Sequence, residues 1–359
     1  MGENIVMTID SALIKDSLSI LGLATSKSET TRPLSQLIEL VTIDGVLYGF
    51  TSTGLHRIKK KIAETDEDMD CLVNFDMFSN VIKTCEGMVE LKPTDKSLGV
   101  KSSTMKCKLP LYSIQSGEGM PHPDDATGAE IDFSNIADVI PAYKSCIKHN
   151  IVQNSVLDNI YFGESGIMTT DNMNLVLLDR TYFDEPLLLP IGTVEVLNKI
   201  GKGKCTIEQK GKEKRIVVTN DDFTYSGAVI VKDMSEFEYK VFVGVINTEL
   251  SDTVTIKRAE LVNAINASQM FITFPTLIFS EKGVFLKIES MNFIYKISSE
   301  ACANFTYSVS PELLKRILFI KDEDLTIEYG NDSDGSATML KIVGDNGITE
   351  LISVEEDNI

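Results

Sequence analysis

Apolar residues recur along the chain with two periods, and the same succession of periods appears three times. Each copy opens with a short alternating strand that runs into an amphipathic helix. These openings are MTIDSALIKDSLSILGLAT from Met7, AEIDFSNIADVIPAYKSCIKHN from Ala129 and VTIKRAELVNAINASQMF from Val254. In the second, Ile136, Ile140, Tyr143 and Ile147 step by three and four residues, which predicts one apolar stripe. Paired β-rich runs follow, with turns at Asp44-Gly45, Glu164-Ser165-Gly166 and Glu281-Lys282-Gly283. A second short helix then leads into a hairpin. Ser310-Pro311 marks one such start, with Ser as cap and Pro in the first turn. Lys83, Lys199 and Lys315 take matching, evenly spaced places in these second helices.

The repeat length of roughly 120 residues is too long for a solenoid unit. It predicts an α+β fold of three repeated domains, 1–123, 124–247 and 248–359, each with two helices on one face of antiparallel sheets. Pro121-His122-Pro123 and the stretch 247–252 mark the junctions.

Composition changes this picture little. The 359 residues are 43% hydrophobic and 24% charged, ordinary for a globular chain. No apolar run predicts a membrane span, and the start of the sequence reads as neither signal peptide nor myristoylation site. A cytoplasmic location is expected. Cys71, Cys85, Cys107, Cys146, Cys205 and Cys302 form no CxxC pair, so buried reduced thiols are expected rather than a metal site or a disulfide framework. The net charge of −19 argues against nucleic acid if it is spread evenly. A ring that is acidic outside and basic inside escapes that objection.

The order of elements resembles the bacterial DNA polymerase III beta subunit, the sliding-clamp family, over nearly the whole chain. IMTTDNMNLVLLDR (167–180) resembles the family's ATDGHRLA segment, DEPLLLPIGTVEVLNKI its IVPRKAVNEL segment, and SEFEYKVF (235–242) its EFPDY segment. The family's Gly-His-Arg is replaced by Asn172-Met173-Asn174, and its C-terminal Met-Pro-Met-Arg-Leu is absent. Such divergence points to a phage or mobile-element clamp.

The resemblance implies a head-to-tail homodimer around double-stranded DNA, held by linkage and without sequence readout. It implies helix-borne cations on the DNA side: Lys15, Lys83, Lys144, Lys148, Lys199, Lys202, Lys257, Arg258, Lys315 and Arg316. Glu195 and Asp138 on the same helices keep such a lining only mildly basic. The resemblance also implies a pocket for short peptides of a DNA polymerase and a clamp loader. Its residues would be Leu157, Thr170, Asn172, Met173, Asn174 and Leu175, with Met339, Ile352 and Val354 from the third domain. Ring closure would use Thr104, Lys106 and Leu109 on one side, Met270 and Phe271 on the other.

No cofactor is expected, and covalent chemistry is not. His56, His122 and His149 fall in three settings, and no HExxH, GxSxG or Walker pattern occurs. Gly201-Lys202-Gly203-Lys204 reads as a helix end and turn. Asp10 and Asp132 read as helix caps rather than acid–base carboxylates. The competing classes are a structural repeat protein, such as a virion component, and a hydrolase.

Overall fold

A computed structural model describes residues 6–26, 33–113, 120–147, 159–171, 173–231, 239–268, 274–336 and 338–356. It has seven α-helices and twenty-five strands among these residues. The chain groups into two compact units: Met1–Ser134 with Lys199–Val229, and Asn135–Asn198 with Ile230–Ile359. Among the described residues no helix is long and apolar enough to cross a membrane.

The first eight strands are β1 (Met7–Asp10), β2 (Leu37–Ile43), β3 (Val46–Ser52), β4 (His56–Glu64), β5 (Asp70–Asn74), β6 (Met88–Pro93), β7 (Ser97–Lys101) and β8 (Lys106–Pro110). The next eight are β9 (Glu130–Asp132), β10 (Ile160–Gly163), β11 (Gly166–Thr170), β12 (Asn174–Leu178), β13 (Leu187–Leu189), β14 (Lys202–Lys210), β15 (Glu213–Thr219) and β16 (Phe223–Val229). The last group is β17 (Asp252–Lys257), β18 (Thr276–Ser280), β19 (Gly283–Ile288), β20 (Phe293–Ser298), β21 (Phe305–Ser308), β22 (Asp324–Tyr329), β23 (Met339–Gly344) and β24 (Ile348–Ser353), followed by β25 (Glu355–Glu356).

Taken eight at a time, the strands repeat one antiparallel order. One sheet runs β1-β6-β7-β8, then β9-β14-β15-β16, then β17-β22-β23-β24. The other runs β5-β2-β3-β4, β13-β10-β11-β12 and β21-β18-β19-β20. Neighbouring modules share sheets. Strand β4 pairs with β16 in one unit, and β12 pairs with β24 in the other, so each joint is a continuous eight-stranded sheet.

The helices are α1 (Ser11–Leu21), α2 (Phe75–Thr84), α3 (Val139–Ile147), α4 (Ile191–Ile200), α5 (Tyr239–Ile246), α6 (Arg258–Ser268) and α7 (Pro311–Arg316). Helix α1 starts where the Asp10 carboxylate accepts from the Ala12 amide at 2.9 Å, and α2 where Asn74 accepts from the Met77 amide at 2.9 Å. Asp132 accepts from the Ser134 amide at 2.8 Å, so both aspartates act as the sequence suggested. Helix α7 has Pro311 in its first turn, but Ser310 caps it by backbone conformation without a side-chain bond. Helix α4 ends at Gly201, which takes φ +73°, and the following Lys202-Gly203-Lys204 is strand rather than turn.

Each helix buries one stripe against its sheet. In α1 this is Ile14, Leu18 and Leu21; in α2, Phe75, Phe78 and Ile82; in α6, Leu261, Ala264 and Ile265. The stripe of α3 is Val139, Ala142, Tyr143 and Cys146, with Ile140 only half-buried. Pro141 lies in the first turn of α3, where its missing N–H costs no helical bond. Gly166 and Gly283 end equivalent turns with φ +124° and +119°. A Cβ there would collide with the carbonyl oxygens of Leu178 and Ser298, so only glycine closes these hairpins. All six cysteines are free; Cys71, Cys85, Cys146 and Cys205 are buried. Burial pushes the Cys71, Cys146 and Cys205 thiols up to about 12, which leaves them protonated and inert.

Candidate functional site

Two kinds of surface follow from the repeat: the helix-bearing face of each module's sheets, and the opposite face of the second joint. Lys83, Lys199 and Lys315 are each the last residue but one of their helices, α2, α4 and α7, and each is exposed. A cation there also complements the negative end of the helix dipole. Lys144 on α3 is exposed and faces Glu195 on α4 at 3.4 Å. Lys15 on α1 is half-buried and its Nζ donates to the Cys85 carbonyl at 2.6 Å, closing the end of α2.

Four of the helix-borne cations are placed otherwise than the sequence suggested. Lys202 begins β14 and pairs with Glu130 at 2.8 Å. Lys257 ends β17, at the position held by Asp10 and Asp132 in the other modules, and pairs with Glu323 and Asp324. The Arg258 guanidinium donates to the carbonyls of Leu318 and Ile320, tying α6 to the end of the α7 segment. Arg316 is 7% exposed, and its Nη1 donates to Asp171 at 2.6 Å. It stands three residues after the buried Leu313, so it shares the apolar stripe of α7, whereas Lys315 does not. Lys148 lies outside the described residues.

The second joint holds the peptide-pocket candidates. Asp171, at the turn between β11 and β12, accepts from the amides of Met173 (3.0 Å) and Asn174 (2.8 Å) while pairing with Arg316. The Thr170 hydroxyl donates to the Asn174 carbonyl at 2.7 Å. The turn therefore presents Met173, 52% exposed, on a rigid base. Leu175 pairs with Leu351 across the joint, and Met339 pairs with Ser353 beside it. Leu175 and Leu351 belong to an apolar cluster with Tyr161, Met168, Leu188 and Ile246. Phe242, Val245 and Met339 pack on it half-buried. Helix α5 supplies Phe242, Val245 and Ile246; the sequence marks it only as a segment ending the second domain.

Asn174 and Ile352 do not line this surface: they are buried and paired on the other face of the sheet. Thr170 is the partner of Leu175 on β11, so it shares the face of the patch, buried beneath it. Val354 is buried as well, its amide donating to the Thr338 carbonyl. Alternation along a strand explains the split, since neighbours in sequence point to opposite faces. Leu157 and Asn172 lie outside the described residues.

On that other face, Asn174 Nδ2 donates to Glu350 Oε1 at 2.9 Å. Glu350 is fully buried, and desolvation pushes its carboxyl up to about 8, outweighing the bond from Asn174 and the nearby Arg316. The folded protein thus holds this proton well above the ordinary carboxyl range near 4.5. Because the folded value is raised, stability from this group falls as pH rises from about 4.5 toward 8. Glu350→Gln is expected to leave the melting temperature nearly unchanged at pH 4, below the ordinary carboxyl value, and to raise it at pH 9. Equal melting curves for the two proteins at pH 9 would show that the carboxyl is not held neutral.

The expected closing edges are placed in part. Lys106 and Leu109 lie on β8, and Thr104 is exposed in the turn before it. Met270 and Phe271 lie outside the described residues. Among the described residues no group of three or more His, Cys, Asp or Glu side chains is placed to hold a metal ion.

No family model and no curated relative matches the chain. Solved structures do. A DNA polymerase sliding clamp from Bacillus subtilis is 14% identical with TM-score 0.79, over 99% of this chain and 100% of that one. A sliding clamp from Pseudomonas aeruginosa bound to griselimycin is 13% identical with TM-score 0.80, over 98% and 100%. A beta clamp from Helicobacter pylori bound to a DNA ligase peptide is 14% identical with TM-score 0.76, over 98% and 100%. The chain therefore has the sliding-clamp fold, an α+β fold of repeated domains.

Proposed function

We propose that this chain is a sliding clamp: two copies join head to tail into a ring that encircles duplex DNA and tethers a polymerase. The modules are 1–123, 124–247 and 248–359. One observation carries the reading. The last strand of one sheet in a module pairs with the last strand of the other sheet in the next module, as β4–β16 and β12–β24. That rule leaves β20 and β8 as sheet ends among the described residues. They are the two complementary halves of a third such joint, in the last and first modules of the chain. An interface of unlike surfaces closes when the rotation per subunit fits, and six modules complete the ring.

On this reading the exposed Lys83, Lys199 and Lys315 face phosphates without reading bases. The chain catalyses nothing itself. Topology rather than affinity retains the DNA, which makes the overall acidic charge compatible with the role. The apolar patch of Met173, Leu175, Met339, Phe242 and Leu351 takes a short peptide of a polymerase or loader, in the manner of an extended segment with apolar anchors.

The test is retention on DNA. Protein placed on nicked circular DNA is expected to co-elute with it and to be released when the circle is linearised. Equal retention on both forms would refute the ring. Changing Lys83, Lys199 and Lys315 together to Glu is expected to shorten retention and to lower the salt-dependence slope by about 0.9 for each phosphate no longer neutralised. An unchanged slope would show that these lysines face elsewhere.

A further inference from the structure

The repeat sets the first joint, β4–β16, in register with the second. Arg57 pairs with Ser226 where Leu175 pairs with Leu351. Arg215 pairs with Ala228 where Met339 pairs with Ser353. The Ala228 amide donates to the Leu55 carbonyl just as the Ser353 amide donates to the Met173 carbonyl. Leu55 is 54% exposed, matching Met173. The first joint thus repeats the geometry of the candidate peptide surface with different chemistry: Arg57 replaces Leu175, Ser226 replaces Leu351, and Arg215 replaces Met339.

These residues line a cavity of about 40 Å³, closed over by the linker residues His122, Pro123 and Asp124. That space holds roughly three water-sized groups, which is the size of one carboxylate and too small for a nucleotide. Its polar lining is committed unevenly. Lys210 is engaged by Asp124 at 2.8 Å and Glu208 at 3.6 Å. The Arg215 guanidinium is 7% exposed and is held by neutral partners: Ser226 Oγ, and the carbonyls of Gly54, Leu55 and Ser226. Among the described residues no carboxylate lies within bonding distance of its charge. Arg57 meets Glu213 at a loose 3.7 Å, and Glu213 is 67% exposed and able to turn away. The Arg57 Nε–H is buried with no hydrogen-bond partner among the described residues. A buried donor left unmade is costly, and a carboxylate oxygen would satisfy it with a charge-assisted bond.

We infer that the first joint is a second peptide-docking site, which takes an acidic side chain of an extended partner segment between Arg57 and Arg215. The inference rests on the peptide-surface reading of the second joint for its analogy, and on the first joint's own geometry for its chemistry. Leu55 supplies the apolar shelf beside the charged socket, as Met173 does at the second joint.

The test uses full-length protein labelled with nitrogen-15 arginine. The probe is an acetylated, amidated alanine pentapeptide with one central glutamate. Saturable movement of the Arg57 Nε–H resonance is expected, with none from the glutamine twin of the peptide. Arg57→Gln is expected to weaken binding about tenfold, the loss of one charge-assisted bond. Its melting temperature checks that it folds, and direct observation of the Arg215 resonance in the unaltered protein gives a second readout. Met173→Asp should leave the affinity for this probe unchanged. Equal shifts from both peptides, no saturation at millimolar probe, or equal affinity for sodium acetate, which marks a free-anion site, would each overturn the inference. If Met173→Asp loses a clamp-binding peptide while the glutamate probe finds no site, the second joint stands and the first-joint inference falls.

Discussion

Replacing Arg316 by methionine is expected to lower the free energy of unfolding by about 3–5 kcal/mol, read by urea denaturation at neutral pH. The side chain is 6% exposed and its partner Asp171 is 1% exposed, so the pair is shielded from water on both sides. Removing the guanidinium leaves a buried carboxylate without its counter-charge, and the desolvation cost of that carboxylate is then uncompensated. The companion change Asp171→Asn keeps an oxygen that can accept from the Met173 and Asn174 amides, because that oxygen is distinct from the one facing Arg316. The double variant removes both charges and retains the turn. It is expected to be more stable than Arg316→Met alone, and this non-additivity is what marks a coupled pair. An Arg316→Met protein within about 1 kcal/mol of the parent would sink the assignment, since that is the range of an exposed pair. The consequence reaches function: the same aspartate fixes the turn that presents Met173, so the single variant is also expected to weaken any ligand that rests on Met173.

The repeat was legible because amphipathic periodicity and turn residues are local. The strand before α1, the stripe of α1 and the Asp44-Gly45 turn need only neighbours in sequence to be read. Asp44 and Gly45 both take positive φ, 49° and 76°, as a two-residue hairpin of this kind requires. Lys202 and Lys257 were misplaced because the boundary between strand and helix moves by a residue or two without altering the pattern. Arg316 was misread for a different reason. Its three-residue step from Leu313 was visible, but a basic residue on an apolar stripe reads as exposed until its acid is found, and Asp171 is 145 residues away in the chain. Likewise, the family resemblance, carried over position by position, put Asn174 and Ile352 in the pocket. Which face each takes depends on the β12–β24 register, and register is set by a pairing far apart in sequence. The joint between modules, which carries both the proposed peptide surface and its polar counterpart, is the least local feature of the fold.

Ile294→Glu is expected to convert the proposed dimer to a folded monomer. Counting register from the neighbouring strand of each hairpin aligns Ile294 on β20 with Ile58 on β4 and Val176 on β12. Ile58 and Val176 are 1% and 0% exposed, because β16 and β24 continue their sheets. Ile294 is 58% exposed in the single chain. An isoleucine at a position that is buried twice elsewhere in the molecule is what a missing neighbour strand leaves behind, and edge strands with apolar side chains invite such pairing. The same count sets β8 of a second copy against it, with Cys107 opposite Ile294 and Lys106 and Lys108 opposite Tyr295 and Phe293. Since Ile294 is exposed before assembly, glutamate there costs the single chain little. In the assembled sheet the carboxylate would lose its water beside Cys107, which offers no counter-charge. The flanking lysines point to the opposite face, so they cannot answer it. A dissociation constant weakened by about 100-fold or more follows from a penalty near 3 kcal/mol. Sedimentation at micromolar concentration is expected to give two chains for the parent and one for the variant, with equal melting temperatures for the isolated subunits. A variant that still sediments as two chains would place the contact on other strands, and a parent that sediments as one chain would remove the ring.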